Sequence, residues 1–265
     1  MIPAESTSYL QAAGHRLWAR TIIPSGKSLR ESPVLIFLHE GLGCIELWRD
    51  FPEMLSRLVG LPALMYDRLG SGGSEQLQEI RSDNHFCWEA EVVLPDILAA
   101  CGIARPILIG HSDGGSIALQ YASCYPDGPA AVIAEAAHVF CEALTVNSIR
   151  TAVNAFEDGN LREKLARYHG DRTDTMFRSW ADIWLLPENL NWNMEAALPG
   201  ITCPLQIIQG QHDEYGTLAQ VAAIAAGVSG RTETLIIPGC AHSPHLQAPQ
   251  ETLAGMAAFI RSHCL

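Results

Sequence analysis

Hydrophobic positions along this chain follow two rhythms. Six short runs are almost unbroken apolar stretches: "PVLIFLH" (33–39), "ALMYD" (63–67), "PILIGH" (106–111), "AAVIAEAA" (130–137), "PLQIIQG" (204–210) and "TETLIIPG" (232–239). Runs of this kind predict strands buried on both faces. An earlier stretch, "RLWARTII" (16–23), reads as an antiparallel strand. Between the strands, "CWEAEVVLPDILAACG" (87–102) and "SIALQYASCY" (116–125) carry apolar residues at helical spacing, and the tail "ETLAGMAAFIRSHCL" predicts a closing amphipathic helix. Pro95 should kink or break the first of these, because it lacks the N–H that the helix needs.

Repeated strand–helix units predict an α/β fold, with a mostly parallel sheet and helices on both faces. The rhythm breaks between 140 and 199, where "NLREKLARYHGDRTDTMFRSWADIWLLPENLNW" is richer in polar and aromatic residues. That stretch predicts a helical cap inserted over the C-terminal edge of the sheet. The core then comprises 1–139 and 200–265, with Pro199 and Gly200 marking the return to it.

Composition narrows the function classes. A chain of 265 residues, 48% hydrophobic and 17% charged, is ample for one ordered domain with an insertion. A formal net charge of -12 repels phosphate backbones, so nucleic acid is not an expected partner. The first twenty residues lack the basic and apolar regions of a secretory leader, and no apolar stretch is long enough to span a membrane. The eight cysteines are scattered singly, as expected for reduced thiols in a cytoplasmic protein. The ten histidines show no metal-ligand spacing, so neither metal nor cofactor is expected, and the partner is a small-molecule substrate. Oligomeric state is not legible.

The stretch "ILIGHSDGG" brings in chemistry. Ser112 lies between Gly110 and Gly114 where a strand meets a helix. Such a turn forces the serine into a strained conformation, and side chains two residues to either side would collide. It also lifts the hydroxyl to the helix N-terminus, where N–H groups favour a developing oxyanion. Serine needs a base, and the base an orienting acid. Asp213 follows the strand in "IIQGQHDEYG" and His242 the strand in "IIPGCAHSPH", each on the loop at a strand's C-terminal end. Oxyanion donors are expected from the N–H groups of Asp113 and of Gly41, with Leu42 as second choice for the latter.

The motifs "LHEGLG", "YDRLGSGGS", "GHSDGG", "GQHDE" and "GCAHSPH" fall in the order that marks the α/β-hydrolase fold superfamily, and the chain resembles it over nearly its whole length. The resemblance implies an eight-stranded sheet and a serine hydrolase with the triad Ser112, Asp213 and His242. A serine at position 112 does not suit relatives that use aspartate as nucleophile, such as epoxide hydrolases. Relatives often read His-Gly where this chain reads His39-Glu40, which puts a carboxylate close to the oxyanion loop. The elbow is also similar to that of valacyclovirase-like hydrolases, which cleave α-amino-acid esters.

That second likeness leaves two readings of Asp113 open. It holds a substrate ammonium, helped by Glu40 or Glu135, or it caps the helix that follows. Other substrate-pocket candidates are His111, Trp180 and Trp184. Glu135 is the alternative acid of the triad. His39 reads as a structural residue of its loop, and His245 as one that packs or bonds near the final helix. The function expected is ester hydrolysis through an acyl-enzyme. Thioester or C–C hydrolysis of an aromatic or acyl substrate is an alternative, as is slow or non-catalytic ligand binding on the same fold.

Overall fold

In the computed structural model, which describes residues 4–30, 33–80 and 85–265, each of these runs forms a strand of one sheet. Residues 1–3 of the N-terminal segment lie outside the described residues. The strands are β1 (Ala4–Ala12), β2 (His15–Ile23), β3 (Val34–Leu38), β4 (Ala63–Tyr66), β5 (Pro106–His111), β6 (Ala131–Glu135), β7 (Leu205–Gly210) and β8 (Thr232–Ile237). They lie in the order β1-β2-β4-β3-β5-β6-β7-β8. β2 runs antiparallel to β1 and β4, and all other pairs are parallel.

Every residue of β3 to β7 is buried. The helices that cover the two faces are α1 (Phe51–Val59), α2 (His85–Trp88), α3 (Leu94–Cys101), α4 (Asp113–Cys124), α8 (Leu218–Gly227), the short α9 (Pro244–Gln247) and α10 (Pro249–His263). Successive strand residues point to opposite faces. Ile36, Leu108, Val132 and Ile207 pack with α3, α4 and α8, while Phe37, Ile109, Ile133 and Ile208 pack with α1 and α10.

Among the named strands and α-helices, β1, α1, α8 and the short α9 are not foreshadowed by the apolar runs. β1 is almost wholly exposed, so its sequence has no apolar face to betray it. It is an edge strand joined to β2 by a two-residue turn in which Ala13 and Gly14 both have positive φ, 52° and 79°. Pro95 lies in the first turn of α3, just after the regular α-helical pattern is interrupted. A wide turn over Glu89–Val93 joins α2 to α3, and the Leu94 N–H reaches back to the Glu89 carbonyl. The Glu91 carbonyl, which in a regular helix would accept from position 95, takes the Tyr125 hydroxyl instead, at 3.2 Å.

Between β6 and β7 the chain forms α5 (Ala143–Glu157), α6 (Leu161–His169) and α7 (Thr173–Leu185), then three-ten turns to Gly200. A bridge between Phe140 and Asn193 closes the base of this excursion. Its contacts with the core are specific. The His169 ring accepts from the Gly72 N–H at 3.0 Å and donates to the Leu42 carbonyl at 3.1 Å. Arg172 donates to the Gly72 carbonyl at 3.2 Å. No helix among the described residues is long and apolar enough to cross a membrane.

Candidate active site

β5 ends at His111 and α4 begins at Asp113, leaving Ser112 alone at the corner with φ 52° and ψ -119°. A non-glycine residue held there stores roughly 1–3 kcal/mol. Three backbone bonds hold it. The Ser112 N–H donates to the Glu135 carbonyl at 2.8 Å, and the Ser112 carbonyl accepts from Gly115 and Ser116 at 2.8 and 3.1 Å. The flanking glycines are steric necessities. A Cβ on Gly110 would lie 2.1 Å from the Gly114 carbonyl oxygen, and one on Gly114 would lie 2.0 Å from that of Leu38. Backbone cannot swing aside as a side-chain tip can. Gly114→Ala is therefore expected to cost about 3 kcal/mol or more, read as a lowered denaturation midpoint.

Ser112 Oγ lies 2.9 Å from His242 Nε2. The other ring nitrogen, Nδ1, is 2.8 and 2.9 Å from the two oxygens of Asp213. Asp213 is itself surrounded by donors. Oδ1 accepts from the Tyr215 N–H at 2.8 Å and the Gly216 N–H at 3.2 Å, and Oδ2 from the Gln209 side chain at 2.7 Å. Burial pushes the Asp213 pKa up, but the hydrogen bond and charge of His242, with the Tyr215 N–H, hold it below the usual carboxylate value. The His242 N–H donates to Glu214 at 3.1 Å.

A cavity of about 200 Å³ opens over this group, lined by Ser112, His242, Ser243, Glu40, Gly41, Leu42, Trp180, Glu214 and Tyr215. Trp180 of α7 lies so close to Gly41 that a Cβ there would be 2.1 Å from its indole. Glycine at 41 is thus what lets the tryptophan lie against the loop.

His242 is within hydrogen-bond distance of both Ser112 and Asp213, one through each ring nitrogen, and Glu40, Gly41, Leu42 and Trp180 line the cavity above them. Asp113, His111 and Trp184 do not line it. Asp113 is 2% exposed, its Oδ2 lies 3.5 Å from His85 Nε2, and it borders a separate small cavity with Gly41, Arg68, His85 and Trp180. Burial raises the Asp113 pKa, but His85 and then Arg68 outweigh that and hold it low. Trp184 lines an apolar pocket with Phe86, Ile183 and Trp192. Glu135 meets a different histidine from the one at Ser112. Its Oε1 accepts from the His245 N–H at 2.7 Å and from the His245 ring at 2.9 Å. The His39 ring accepts the Arg68 N–H at 2.9 Å and donates to the Glu40 carbonyl at 2.7 Å, which fixes it as a neutral tautomer.

Sequence reading did not single out Gln209, Glu214 or Tyr215, although all three lie in "IIQGQHDEYG". A polar residue closing a buried strand was the available signal for Gln209. His169 offered none, because its partner Gly72 is 97 residues away.

A curated relative, 2-succinyl-6-hydroxy-2,4-cyclohexadiene-1-carboxylate synthase of Enterobacter sp. (strain 638), is 25% identical over 259 residues, covering 86% of this chain and 92% of that protein. Among solved structures, a thermophilic esterase from Thermogutta terrifontis superposes with a TM-score of 0.74 at 17% identity, covering 98% of this chain and 100% of that one. An alpha/beta hydrolase from a Medee basin deep-sea metagenome library gives 0.76 at 20% identity, covering 96% and 97%. These two likenesses speak to the fold. Residues 35–255, from β3 into α10, match the Alpha/beta hydrolase family, and the chain belongs to that family.

Proposed function

We propose that the chain is a serine hydrolase that cleaves a small carboxylic ester, or a related acyl bond, through an acyl-enzyme. The observation that carries this reading is the 2.9 Å contact of Ser112 Oγ with His242 Nε2, while the other ring nitrogen rests on Asp213. His242 takes the Ser112 proton as Oγ attacks the carbonyl carbon, and Asp213 stabilises the imidazolium that forms. The oxyanion accepts hydrogen bonds from the N–H groups of Asp113 and Gly41, with Leu42 the alternative second donor. Collapse expels the alcohol, which leaves with the proton from His242. Water then attacks the acyl carbon, giving its proton to His242; the bond from the acyl carbon to Ser112 Oγ breaks, Oγ takes that proton back from His242, and the acid departs. Residues 140–199 act as a cap that closes the acyl site, with Trp180 as its inner wall.

A thioester or C–C substrate would use the same first step. The mixed lining of Leu42, Trp180 and Tyr215 suits an aromatic or acyl group as well as a small ester. A panel of p-nitrophenyl esters, acyl-CoAs and amino-acid esters separates these, each amino-acid ester being paired with a matched ester lacking the amine. Equal rates within a pair would remove ammonium anchoring by Asp113 or Glu40. A fluorophosphonate probe is expected to label Ser112. Absence of label would favour a ligand-binding protein on this fold.

A further inference from the structure

The carboxylate that departs from the common His-Gly pattern has a partner within the protein. Glu40 Oε2 lies 2.6 Å from His111 Nδ1, and its side chain is 29% exposed while that of His111 is 1% exposed. The other nitrogen of His111, Nε2, lies 2.8 Å from the carbonyl oxygen of His242. A peptide carbonyl only accepts, and an ionised carboxylate only accepts. A neutral imidazole has one N–H and can satisfy one of these contacts, whereas an imidazolium satisfies both.

A second carboxylate favours the charged form. Glu135 stands beside His111 across the β5–β6 pair, fully buried, and its Oε2 has no hydrogen-bond partner among the described residues. The remaining titratable neighbours are the rings of His245 and His242, with centroids 4.9 and 5.1 Å from that of His111. His245 is bonded to Glu135 and His242 to Asp213.

We propose that His111 is held as an imidazolium between Glu40 and the backbone of His242, and that this pair positions the base for Ser112. The second half rests on the serine-hydrolase reading, and the charge state does not. The peptide groups of residue 242 are then gripped from two sides, the carbonyl by His111 and the N–H by Glu214. Asp213 sets the rotation of the ring, and His111 and Glu214 set where the ring starts from. Misplacement of about 1 Å at a reacting group costs roughly a hundredfold in rate. Glu40 and His111 are therefore positioning residues.

The electrostatics agree with the geometry. Burial pulls the His111 pKa down, but the hydrogen bond and charge of Glu40, followed by the charge of Glu135, push it up to about 9. A raised histidine pKa means the cation and its bonds persist below that value and are lost as pH rises through it.

Two measurements test the proposal. The first is histidine-selective nitrogen NMR of the intact protein at about pH 7.5, with His111 assigned by its absence in His111→Gln. Two protonated ring nitrogens are expected, and one bare nitrogen would overturn the charge state. The second is the rate at which a fluorophosphonate labels Ser112, followed against pH. Glu40→Gln is expected to slow labelling roughly ten- to a hundredfold and to bring the alkaline decline to lower pH. His111→Ala should slow it similarly, and His111→Gln, which keeps an N–H for the carbonyl, should recover part of the loss. Wild-type rates and pH profiles in Glu40→Gln and His111→Ala would sink the positioning role. Failure of the wild-type protein to label would sink the hydrolase reading and leave the NMR result standing.

Discussion

Ser112→Ala is expected to lower turnover of the best ester in the panel by about ten-thousandfold or more, while the melting temperature stays close to that of the wild-type protein. The asymmetry follows from geometry. Alanine occupies the same φ 52° corner as serine, and the backbone bonds to Glu135, Gly115 and Ser116 do not involve the side chain. What is lost is one hydrogen bond to His242, worth about 1 kcal/mol of stability, and the oxygen that attacks the acyl carbon in the proposed mechanism. Steady-state kinetics paired with thermal melts check it. A variant that retained wild-type kcat/KM would end the nucleophile assignment.

Asp213→Asn is expected to cost about as much in rate, again near ten-thousandfold, but also to destabilise. Both oxygens of Asp213 sit among donors: the Tyr215 and Gly216 N–H groups, the Gln209 amide and His242. An asparagine must turn an NH2 toward one of them. A buried donor facing a donor costs about 1–3 kcal/mol, and His242 is steered toward the wrong tautomer. The pH dependence carries a sign. The Asp213 pKa is depressed in the folded protein, so the stability its ionised form contributes is present above the ordinary carboxylate value. That stability is lost as pH falls through the depressed value. Asp213→Asn should therefore narrow the gap to the wild-type protein in acid. Urea midpoints between about pH 3 and 7 would show it, and a gap independent of pH would contradict the assignment.

Glu40 and Asp113 show how far residue type alone carries. Both are acids beside the elbow, and a sequence reader can offer either as the anchor for a cation. Asp113 turns out to be buried against His85, and Glu40 lines the cavity yet leans on His111. The difference is one of approach direction. α4 carries the Asp113 side chain beneath the loop at Gly41, whereas Glu40 lies on that loop, next to the end of β5. Trp184 and Trp180 divide in the same way, four residues apart on α7, and they line different pockets.

Local rules carried by the sequence decided much of this protein. Unbroken apolar runs demand a strand covered on both faces, and their alternation with helices demands a mostly parallel sheet. The Gly110–Ser112–Gly114 spacing is forced because any Cβ at the flanking positions strikes backbone about 2 Å away. These follow from side-chain period and sterics within a few residues. Only the folded chain decided that Trp180 lies on Gly41, that His169 joins α6 to the turn at Gly72, and that His111 bridges Glu40 to His242. Each of those contacts joins segments that meet only after the sheet has ordered its strands. Contact direction across such distances leaves no periodic trace in the sequence.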